Sequence, residues 1–526
     1  MKRHPKYLKV KRLKYAILAA AMLLTCALAG CGNGGNNGGG GNAGGSGGGS
    51  RVQKDTLIVA KNEDVASLDP SLAINQKSFT VYGQIFEGLV RLDPETGEVV
   101  PCLATQWEQL DETTWHFTLR EGVKFHDGNT MTSADVVCSF ERIMTGIASS
   151  YVDYIESVEA DGDYAVTMHI KMPYAQIIQA LTYPAAVVVS KAAVEQYGED
   201  FAQHPVGTGP YAFDSRMIAD SITLKAFGDY WGEKAKTENL IFKVIPEGTQ
   251  RTIMLENGEV DIICDVLSND AVRVDEAPNL TLIHETGYKY YGLYFKCDSQ
   301  GPTSNKLVRQ AMEYAIDKQA MVDAAMSGYG QVGSLYSTPP TAGYNASKDR
   351  GNLYNPDTAK DLLAQAGYPN GFDLDVYVRT GQPYEELATI FQDQMKAINI
   401  NVNLISLDSN AIDEMVYSGQ EVPIRFSFYN NICGDVDFIM QKLLPDTYGQ
   451  IYFNDKMNDL ISRARAETDV AKRQLVYDEF YDLMAEDVPQ VAFFYEEILM
   501  GLNSNVEGFH LNPLGAHQYA SVAVYQ

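Results

Sequence analysis

The chain of 526 residues is poor in cysteine and in basic side chains, and beyond Arg51 it has no long apolar run. Its 41 Lys and Arg residues against 68 Asp and Glu residues give a formal charge of −27. This balance excludes a nucleic-acid-binding protein, because phosphate neutralisation requires a basic face. Without about 18 consecutive apolar residues after Arg51, no membrane-spanning helix is predicted there.

Seven cysteines occur in the whole chain, and no two of them form a Cys-x-x-Cys motif. A disulfide framework is not expected at that density, although a single pair stays an open alternative. Apolar residues make up 45% of the chain and aromatic residues 10%, which is enough to build large cores. The length corresponds to roughly three domain-sized units.

Motifs of catalytic and metal sites are also missing. After Ser50 the sequence holds no Gly-x-Ser-x-Gly, and the whole chain holds no His-Glu-x-x-His motif and no Walker-type phosphate loop. The eight histidines are dispersed, and no two of them lie three or four residues apart on a predicted helix. We therefore expect no metal site, no cofactor and no catalysis by this chain.

The first thirty residues are typical of an export signal. An apolar segment, residues 16–29, is too short to span about 30 Å of hydrocarbon as a stable helix. It follows seven basic side chains, Lys2, Arg3, Lys6, Lys9, Lys11, Arg12 and Lys14. The segment ends in Leu28-Ala29-Gly30-Cys31, which resembles the lipobox of bacterial lipoproteins. We predict lipidation at Cys31, with an ordinary secretory signal as the alternative.

Residues 32–50 comprise twelve Gly, four Asn, two Ser and one Ala. A coil of this composition and length spans roughly 22–26 Å and has nothing to pack. We interpret it as a flexible tether between the lipid anchor and the folded body.

Predicted strands and helices alternate along the rest of the chain, which indicates an α/β fold. Residues 104–120 predict two strands around the Asp111-Glu112 turn, and Thr132 predicts the start of a helix. Further helices are predicted within 305–328 and at 357–366 and 384–398, with strands at 56–60, 373–378, 401–405 and 424–429. Arg309 is expected on a solvated or interlobe face. The Gly207-Thr208-Gly209-Pro210 segment is expected to form a tight crossing between lobes.

Several motifs in a fixed order resemble the family-5 extracellular solute-binding proteins of ABC importers, the group that binds oligopeptides, dipeptides and nickel. The motifs are Phe86-Glu87-Gly88-Leu89-Val90, Leu119-Arg120-Glu121-Gly122-Val123, His204-Pro205-Val206-Gly207-Thr208-Gly209-Pro210-Tyr211, Asp229-Tyr230-Trp231-Gly232, Asn257-Gly258-Glu259-Val260-Asp261 and Val308-Arg309-Gln310-Ala311 with Ala315-Ile316-Asp317. The resemblance extends from about Leu57 to near the C-terminus.

The resemblance implies a two-lobe, type II periplasmic-binding-protein-like fold with mixed sheets, an inserted subdomain and a hinge. It implies a monomer that captures short peptides outside the cell membrane and delivers them to the permease and ATPase subunits of an importer. The lipid anchor would attach the protein to the membrane.

The family pattern also implies domain boundaries. The predicted units are the signal peptide 1–30, the lipidated cysteine and tether 31–50, lobe I in the parts 51–85, 208–295 and 499–526, the inserted subdomain 86–207 and lobe II 296–498. The hinge is predicted in crossing strands near 288–295 and 495–502.

Five ligand-binding residues are predicted. Asp435 matches the family's Gly-Asp-x-Asp stretch, where the carboxylate after the glycine pairs with the α-amine of the ligand. Its alternative role is to cap the next turn. Arg379 is predicted to bind the ligand carboxylate, or else to be a solvated loop residue. Tyr429 and Tyr495 are candidate pocket walls with a polar tip, and core packing is the default alternative for both. The family's tryptophan upstream of this stretch is absent, and Asn430, Asn431 or Tyr429 occupies its region, which puts dipeptide specificity in doubt.

Two alternatives stay open at this stage. The same fold could bind another solute, such as a nickel chelate or an oligosaccharide. The chain could instead belong to another class, a secreted hydrolase or a peptide-sensing receptor.

Overall fold

The computed structural model describes residues 51–526 except positions 74, 94, 95, 419, 421, 432, 444–451 and 453. The predicted signal, the lipidation site Cys31 and the tether lie outside the described residues. Within the described part, no helix has the length and apolar character needed to cross a membrane.

Strands and helices alternate as the sequence predicts. The strands are β1 (Thr56–Lys61), β2 (Glu87–Gly88), β3 (Val90–Leu92), β4 (Val99–Pro101), β5 (Ala104–Asp111), β6 (Thr114–Leu119), β7 (Ile155–Ala160), β8 (Ala165–Ile170), β9 (Val187–Val188), β10 (Tyr211–Met217), β11 (Ser221–Ala226), β12 (Asn239–Val244), β13 (Ile262–Ile263), β14 (Leu280–Phe295), β15 (Gln331–Val332), β16 (Phe372–Arg379), β17 (Ile400–Leu407), β18 (Ile424–Asn430), β19 (Gln490–Asn503), β20 (Val506–Glu507) and β21 (Ala523–Val524).

The helices are α1 (Gln76–Tyr82), α2 (Ser133–Thr145), α3 (Ile177–Ala180), α4 (Lys191–Tyr197), α5 (Gly248–Glu256), α6 (Ser268–Glu276), α7 (Lys306–Ala315), α8 (Lys318–Ala325), α9 (Pro356–Gln365), α10 (Tyr384–Lys396), α11 (Ser409–Tyr417), α12 (Val436–Lys442), α13 (Asp455–Ala466) and α14 (Val470–Asp487). Short 3₁₀ turns lie at Pro70–Leu72, Ile147–Tyr151, Gly198–Gln203, Pro302–Ser304 and Ala346–Lys348.

One 11-stranded mixed sheet runs through the molecule in the order β10-β11-β12-β1-β13-β19-β14-β18-β16-β17, with β15 paired to β19. We call the half that holds β1 and β10–β13 lobe I and the half that holds β16–β18 lobe II. In lobe I, β1 is parallel to both β12 and β13. A separate four-stranded sheet, β5-β6-β8-β7, lies within the range 86–207 that is predicted for the inserted subdomain, and we keep that name for this range.

The long strands β14 and β19 connect the two lobes. Leu280 to Thr286 pair with Glu497 to Asn503 on the lobe I side, and the pairing resumes at Tyr290 and Tyr495 on the lobe II side. The register shifts between Thr286 and Tyr290. The break lies at the beginning of the two ranges predicted for the hinge, 288–295 and 495–502. Between Thr286 and Tyr290, β14 has no paired residue in β19.

Local sequence signals explain most element boundaries. Thr132 and Asp135 form a capping box at the start of α2, as predicted. In β6 the buried side chains Trp115, Phe117 and Leu119 alternate with less buried neighbours, and this alternation also confirms the predicted strand. Lobe II has an apolar core of its own, whereas the core of the other half also takes in Cys433 and Phe438 of lobe II.

Two expectations from the sequence are wrong. Arg309 is buried, and its guanidinium donates to the backbone carbonyls of Asp487 (3.0 Å) and Thr303 (2.8 Å). Helical spacing could not show this, because a guanidinium with five donors can be buried wherever enough carbonyls face it.

The glycines of the 207–210 segment do pack tightly, but not between lobes. A Cβ atom at Gly207 would lie 2.1 Å from the carbonyl oxygen of Ile85, so the close approach is to the segment directly after α1 and not to lobe II. The five described cysteines are free, namely Cys102, Cys138, Cys264, Cys297 and Cys433.

Candidate ligand-binding site between the lobes

A tight turn after β18 carries the first candidate residue, Asp435. The backbone N–H of Asn431 donates to the carbonyl of Tyr288 in β14 (3.0 Å), which ties this turn to the strand that crosses between lobes. Gly434 has a φ of +66°, a conformation that glycine adopts without strain. Asp435 then caps α12, since its Oδ1 accepts the N–H of Asp437 (2.8 Å). Capping is thus one of its roles.

The carboxylate of Asp435 is nearly inaccessible, with 4% of the residue exposed. Oδ1 also accepts the hydroxyl of Tyr477 (2.7 Å). Among the residues that the structure describes, none donates a hydrogen bond to Oδ2 and no cation lies within ion-pair distance. Burial raises the pKa of Asp435 to about 6, which the hydrogen bonds from Tyr477 and Asp437 only partly offset.

A hydrogen-bond relay links Asp435 to the inserted subdomain. Gln176 donates through Nε2 to the hydroxyl of Tyr477 (2.8 Å), and that hydroxyl donates to Asp435. Gln176 also donates to the carbonyl of Ala464 at the end of α13 (3.3 Å). The Asp435 carboxylate therefore lies at the surface where lobe II meets the other half of the molecule.

The neighbouring acid, Asp437, is in a different electrostatic state. It is fully buried and forms an ion pair with Arg465, whose Nε lies 3.0 Å from Oδ1. Arg465 stacks over the ring of Tyr174 at 5.5 Å. Of the two carboxylates in the Gly-Asp-x-Asp stretch, Asp437 is neutralised by protein and Asp435 is not.

Aromatic side chains from both halves face each other beside Asp435. The rings of Tyr151 in the inserted subdomain and Phe438 in lobe II are 6.0 Å apart. Tyr151 stacks on Tyr183 (4.7 Å), and Phe438 lies 6.3 Å from Tyr429. Such rings can cover apolar side chains of a ligand and keep polar tips available.

Four buried polar atoms at this interface have no hydrogen-bond partner among the described residues. They are Gln176 Oε1, Asn431 Oδ1, Tyr154 OH and Tyr183 OH. Buried polar atoms are usually paired, because losing water without a new partner costs about 1–3 kcal/mol. Their concentration here matches a surface that binds the amide groups of a ligand.

Two of the predicted site residues lie beside Asp435. The Tyr429 hydroxyl donates to the carbonyl of Phe438 (3.2 Å), so this tyrosine packs against the first turn of α12. Asn430 ends β18 and pairs with Lys289 of β14. The structure thus brings Tyr429, Asn430 and Asp435 together in one strand-turn-helix unit.

The other two predicted residues have their partners elsewhere in lobe II. Arg379 is 9% exposed and forms an ion pair with Asp413 (2.7 Å), while its Nε has no partner in the described part of the chain. Tyr495 is fully buried, donates to Asp349 (2.8 Å) and accepts from the N–H of Leu335 (3.1 Å). Tyr495 therefore belongs to the core of lobe II, and Arg379 already has a counter-ion.

Sequence reasoning missed the residues that surround Asp435 from other segments. Gln176, Tyr151 and Tyr477 are far from it in the chain, and no motif marks them. The spacing of aromatic residues alone cannot tell a core tyrosine from one at an interface.

A cavity of about 590 Å³ lies elsewhere, in the half that holds lobe I and the inserted subdomain. Its lining includes Glu87 and Trp231 but none of the five predicted residues. Cavity size alone would make it the default ligand site. We favour the interface at Asp435, because there a buried charge without a counter-ion among the described residues meets both halves of the protein.

Comparison with known proteins identifies the family. The family model of bacterial extracellular solute-binding proteins, family 5 Middle, matches residues 98–450. The glutathione-binding protein GsiB of Escherichia coli strain K12 is 26% identical over 475 residues, which is 87% of this chain and 92% of the relative.

Solved structures give the same result. HbpA2 from Haemophilus parasuis has a TM-score of 0.81 at 26% identity and covers 89% of this chain and 99% of its own. The ABC transporter-associated periplasmic binding protein DppA from Helicobacter pylori, in complex with the peptide STSA, has a TM-score of 0.76 at 26% identity, with coverages of 90% and 99%. These comparisons confirm the predicted type II fold, and the relatives are binding proteins and not enzymes. The chain therefore belongs to family 5 of the extracellular solute-binding proteins, the substrate-binding components of ABC importers.

Proposed function

We propose that the protein captures short peptides between its lobes, outside the cell membrane, and delivers them to the permease of an ABC importer. The observation that carries this proposal is the buried carboxylate of Asp435, which has no counter-ion among the described residues. A peptide α-amine supplies both the missing positive charge and a donor for Oδ2. A charge-assisted hydrogen bond of this kind is strong in a desolvated site.

The surroundings of Asp435 suit a peptide backbone. Gln176 and Asn431 each offer an unpartnered amide oxygen, which accepts an N–H, and Tyr154 and Tyr183 offer hydroxyls that can donate to a carbonyl. Backbone recognition leaves side chains free to vary, which gives broad peptide specificity. Two relatives support a peptide ligand. One is named for binding glutathione, which is a tripeptide, and the other was crystallised with the peptide STSA.

Closure of the lobes is part of the proposal. A ligand that touches both halves favours the state in which they meet, and this state would dock on the permease and its ATPase subunits. We further propose that Cys31 carries the lipid anchor, that the 32–50 segment is the tether and that the protein acts as a monomer. The domain boundaries given above remain predictions.

The test combines native mass spectrometry with calorimetry on the purified protein. We expect a set of bound masses that match short peptides. Asp435→Asn, which keeps the helix cap, should weaken tripeptide binding by about 2–5 kcal/mol. The matched control is Asp349→Asn, since Asp349 also lies in lobe II and also accepts a tyrosine hydroxyl (2.8 Å).

Three results would contradict the proposal. A single bound species that is not a peptide, or a metal chelate, would identify another solute. Equal loss of affinity in both variants would show that Asp435 acts only through folding. Retention of peptide affinity in Asp435→Asn would remove the assigned role of this residue.

A further inference from the structure

A second charged cluster lies at the carboxyl ends of the parallel strands β1 and β13 in lobe I. Lys61 ends β1, and Cys264 and Asp265 directly follow β13. In α/β sheets this edge is where ligands usually bind, because the strand ends and the following loops leave a crevice there. None of these residues belongs to the interface described around Asp435.

A small cavity of about 20 Å³ lies among these side chains. Its lining includes Lys61, Lys77, Asp265, Ile498 and His517. A volume of this size holds one water-sized group, such as one oxygen of a carboxylate. The site is therefore suited to the tip of a ligand and not to a whole solute.

Lys61 carries an uncompensated positive charge. Only 2% of the residue is exposed, its ammonium donates to the carbonyl of Lys77, and no described residue forms an ion pair with it. Since an ammonium has three donors, two N–H groups have no hydrogen-bond partner within the described part of the protein. Burial also lowers the pKa of Lys61 to about 8, which an anion in contact would reverse.

The other groups around the cavity do not cancel this charge. Lys77 pairs with Asp265 at 2.5 Å, so these two charges offset each other. Burial raises the pKa of Cys264 to about 11 and lowers that of His517 to about 4, which keeps both side chains neutral at pH 7. His517 accepts the N–H of Asn512 at Nδ1 (3.1 Å), so its Nε2 carries the proton and is a donor.

The cavity and the turn before Asp435 lie beside two consecutive residues of β14, Gly287 and Tyr288. Ile498 lines the cavity and packs against Gly287. A Cβ atom placed on Gly287 would lie 3.0 Å from Cδ1 of Ile498. The next residue, Tyr288, has its hydroxyl 3.4 Å from the Cβ position of Gly434, directly before Asp435. This stretch of β14 therefore leads from the turn before Asp435 toward the lobe I cluster.

We propose that Lys61, with Lys77 and His517, binds a carboxylate of the ligand whose amine pairs with Asp435. This inference rests on the proposed function and assigns the anionic end of the ligand to lobe I. Arg379, the residue predicted for that end, is a weaker candidate because Asp413 already neutralises it. Each lobe then contributes one charge of the sign opposite to one end of the peptide.

The test is calorimetric binding of trialanine and of trialanine amide, which lacks the terminal carboxylate. The unchanged protein should prefer the acid by about 10- to 100-fold. Lys61→Met should bind both forms with similar affinity. Lys318→Met is the matched control, because Lys318 is fully buried in lobe II, also donates to backbone carbonyls and also has a pKa lowered to about 8. It should keep the preference for the acid.

Lys77→Met provides a second variant if Lys61→Met does not fold, because Lys77 is partly exposed. This substitution leaves Asp265 without its ion-pair partner beside the cavity. Since the free carboxylate repels an anion, the variant should also show a lower preference for the acid. If Lys61→Met and Lys77→Met keep the preference, or if only Arg379→Gln removes it, the inference is wrong while peptide capture stands. Equal affinity of the unchanged protein for trialanine and trialanine amide would also show that the inference is wrong while peptide capture stands. If neither peptide binds, the proposed function fails together with the inference.

Discussion

The two buried carboxylates at the interface, Asp435 and Asp437, differ in whether a cation lies beside them. Asp437 has Arg465 as a counter-ion, whereas Asp435, two residues earlier, has only hydroxyl and amide donors. A buried carboxylate in that state opposes folding until a cation reaches it. Asp435 therefore links ligand binding both to pH and to stability.

Peptide affinity should fall in acid. Binding requires ionised Asp435, and its pKa in the unliganded protein is about 6. The dissociation constant should therefore rise below pH 6, approaching about tenfold per pH unit, and should be lowest near pH 7, because the α-amine of the peptide itself loses its proton at about pH 8. Calorimetry from pH 5 to 8 measures this. Asp435→Asn should bind weakly with no such dependence, and a wild-type profile that is flat down to pH 5 would show that Asp435 does not pair with the amine.

The same residue should limit the stability of the unliganded protein. Its folded pKa of about 6 lies above the value of about 3.9 for an unfolded chain, so ionisation costs stability as pH rises from about 4 to 6. Asp435→Asn should raise the free energy of unfolding by up to about 3 kcal/mol at pH 7 and by little at pH 4. Urea denaturation at both pH values checks this, and an equal effect at both would contradict it.

Among the elements, the paired strands β14 and β19 carry the connection between lobes. Their close approach depends on Gly292, where a Cβ atom would lie 2.6 Å from the carbonyl oxygen of Val491. Helices on either side pack against this pair, so the strands cannot move apart without opening a core.

Gly292→Ala should therefore destabilise the protein by about 1–3 kcal/mol, through overpacking. Gly228→Ala is the control, since its Cβ would have no atom within 4 Å. Thermal unfolding compares the two. Equal melting temperatures would mean that the strands relax without cost.

For the whole molecule, the contact between the halves runs through a few polar groups and rings. The Gln176–Tyr477–Asp435 relay crosses the interface, and the break in register at residues 286–290 leaves the crossing strands as the natural place to bend. A ligand that adds contacts to both halves shifts such an equilibrium toward closure.

Tyr477→Phe should favour separation of the lobes in the unliganded protein. It leaves Gln176 and Asp435 each with one partner fewer, at a cost of about 1–3 kcal/mol in the closed state. Small-angle scattering should show a larger radius of gyration. Tyr481→Phe is the control, because the bonds of that hydroxyl to described residues stay within lobe II, to Ser337 (2.6 Å) and Gly343 (3.1 Å). Identical scattering of the two variants would exclude the relay as a closing contact.

Amino-acid sequence by itself determined the local structure and the family of this protein. Capping residues, alternating apolar positions and glycines act within a few residues of their own position, so α2, β6 and the turn before Asp435 follow from neighbours in the chain. The ordered motifs identified the solute-binding family for the same reason, since each occupies one short segment.

Only the tertiary structure decided which charges have partners. Arg379 was predicted to bind a ligand carboxylate but pairs with Asp413. Arg309 was predicted on a solvated or interlobe face but donates to buried carbonyls. No sequence motif marks Lys61, although it is buried without a counter-ion in the described part of the chain. Charge compensation depends on groups that are distant in sequence and are brought within about 4 Å by packing. The pairing that distinguishes a structural ion from a binding group is therefore a property of the fold and not of any local pattern.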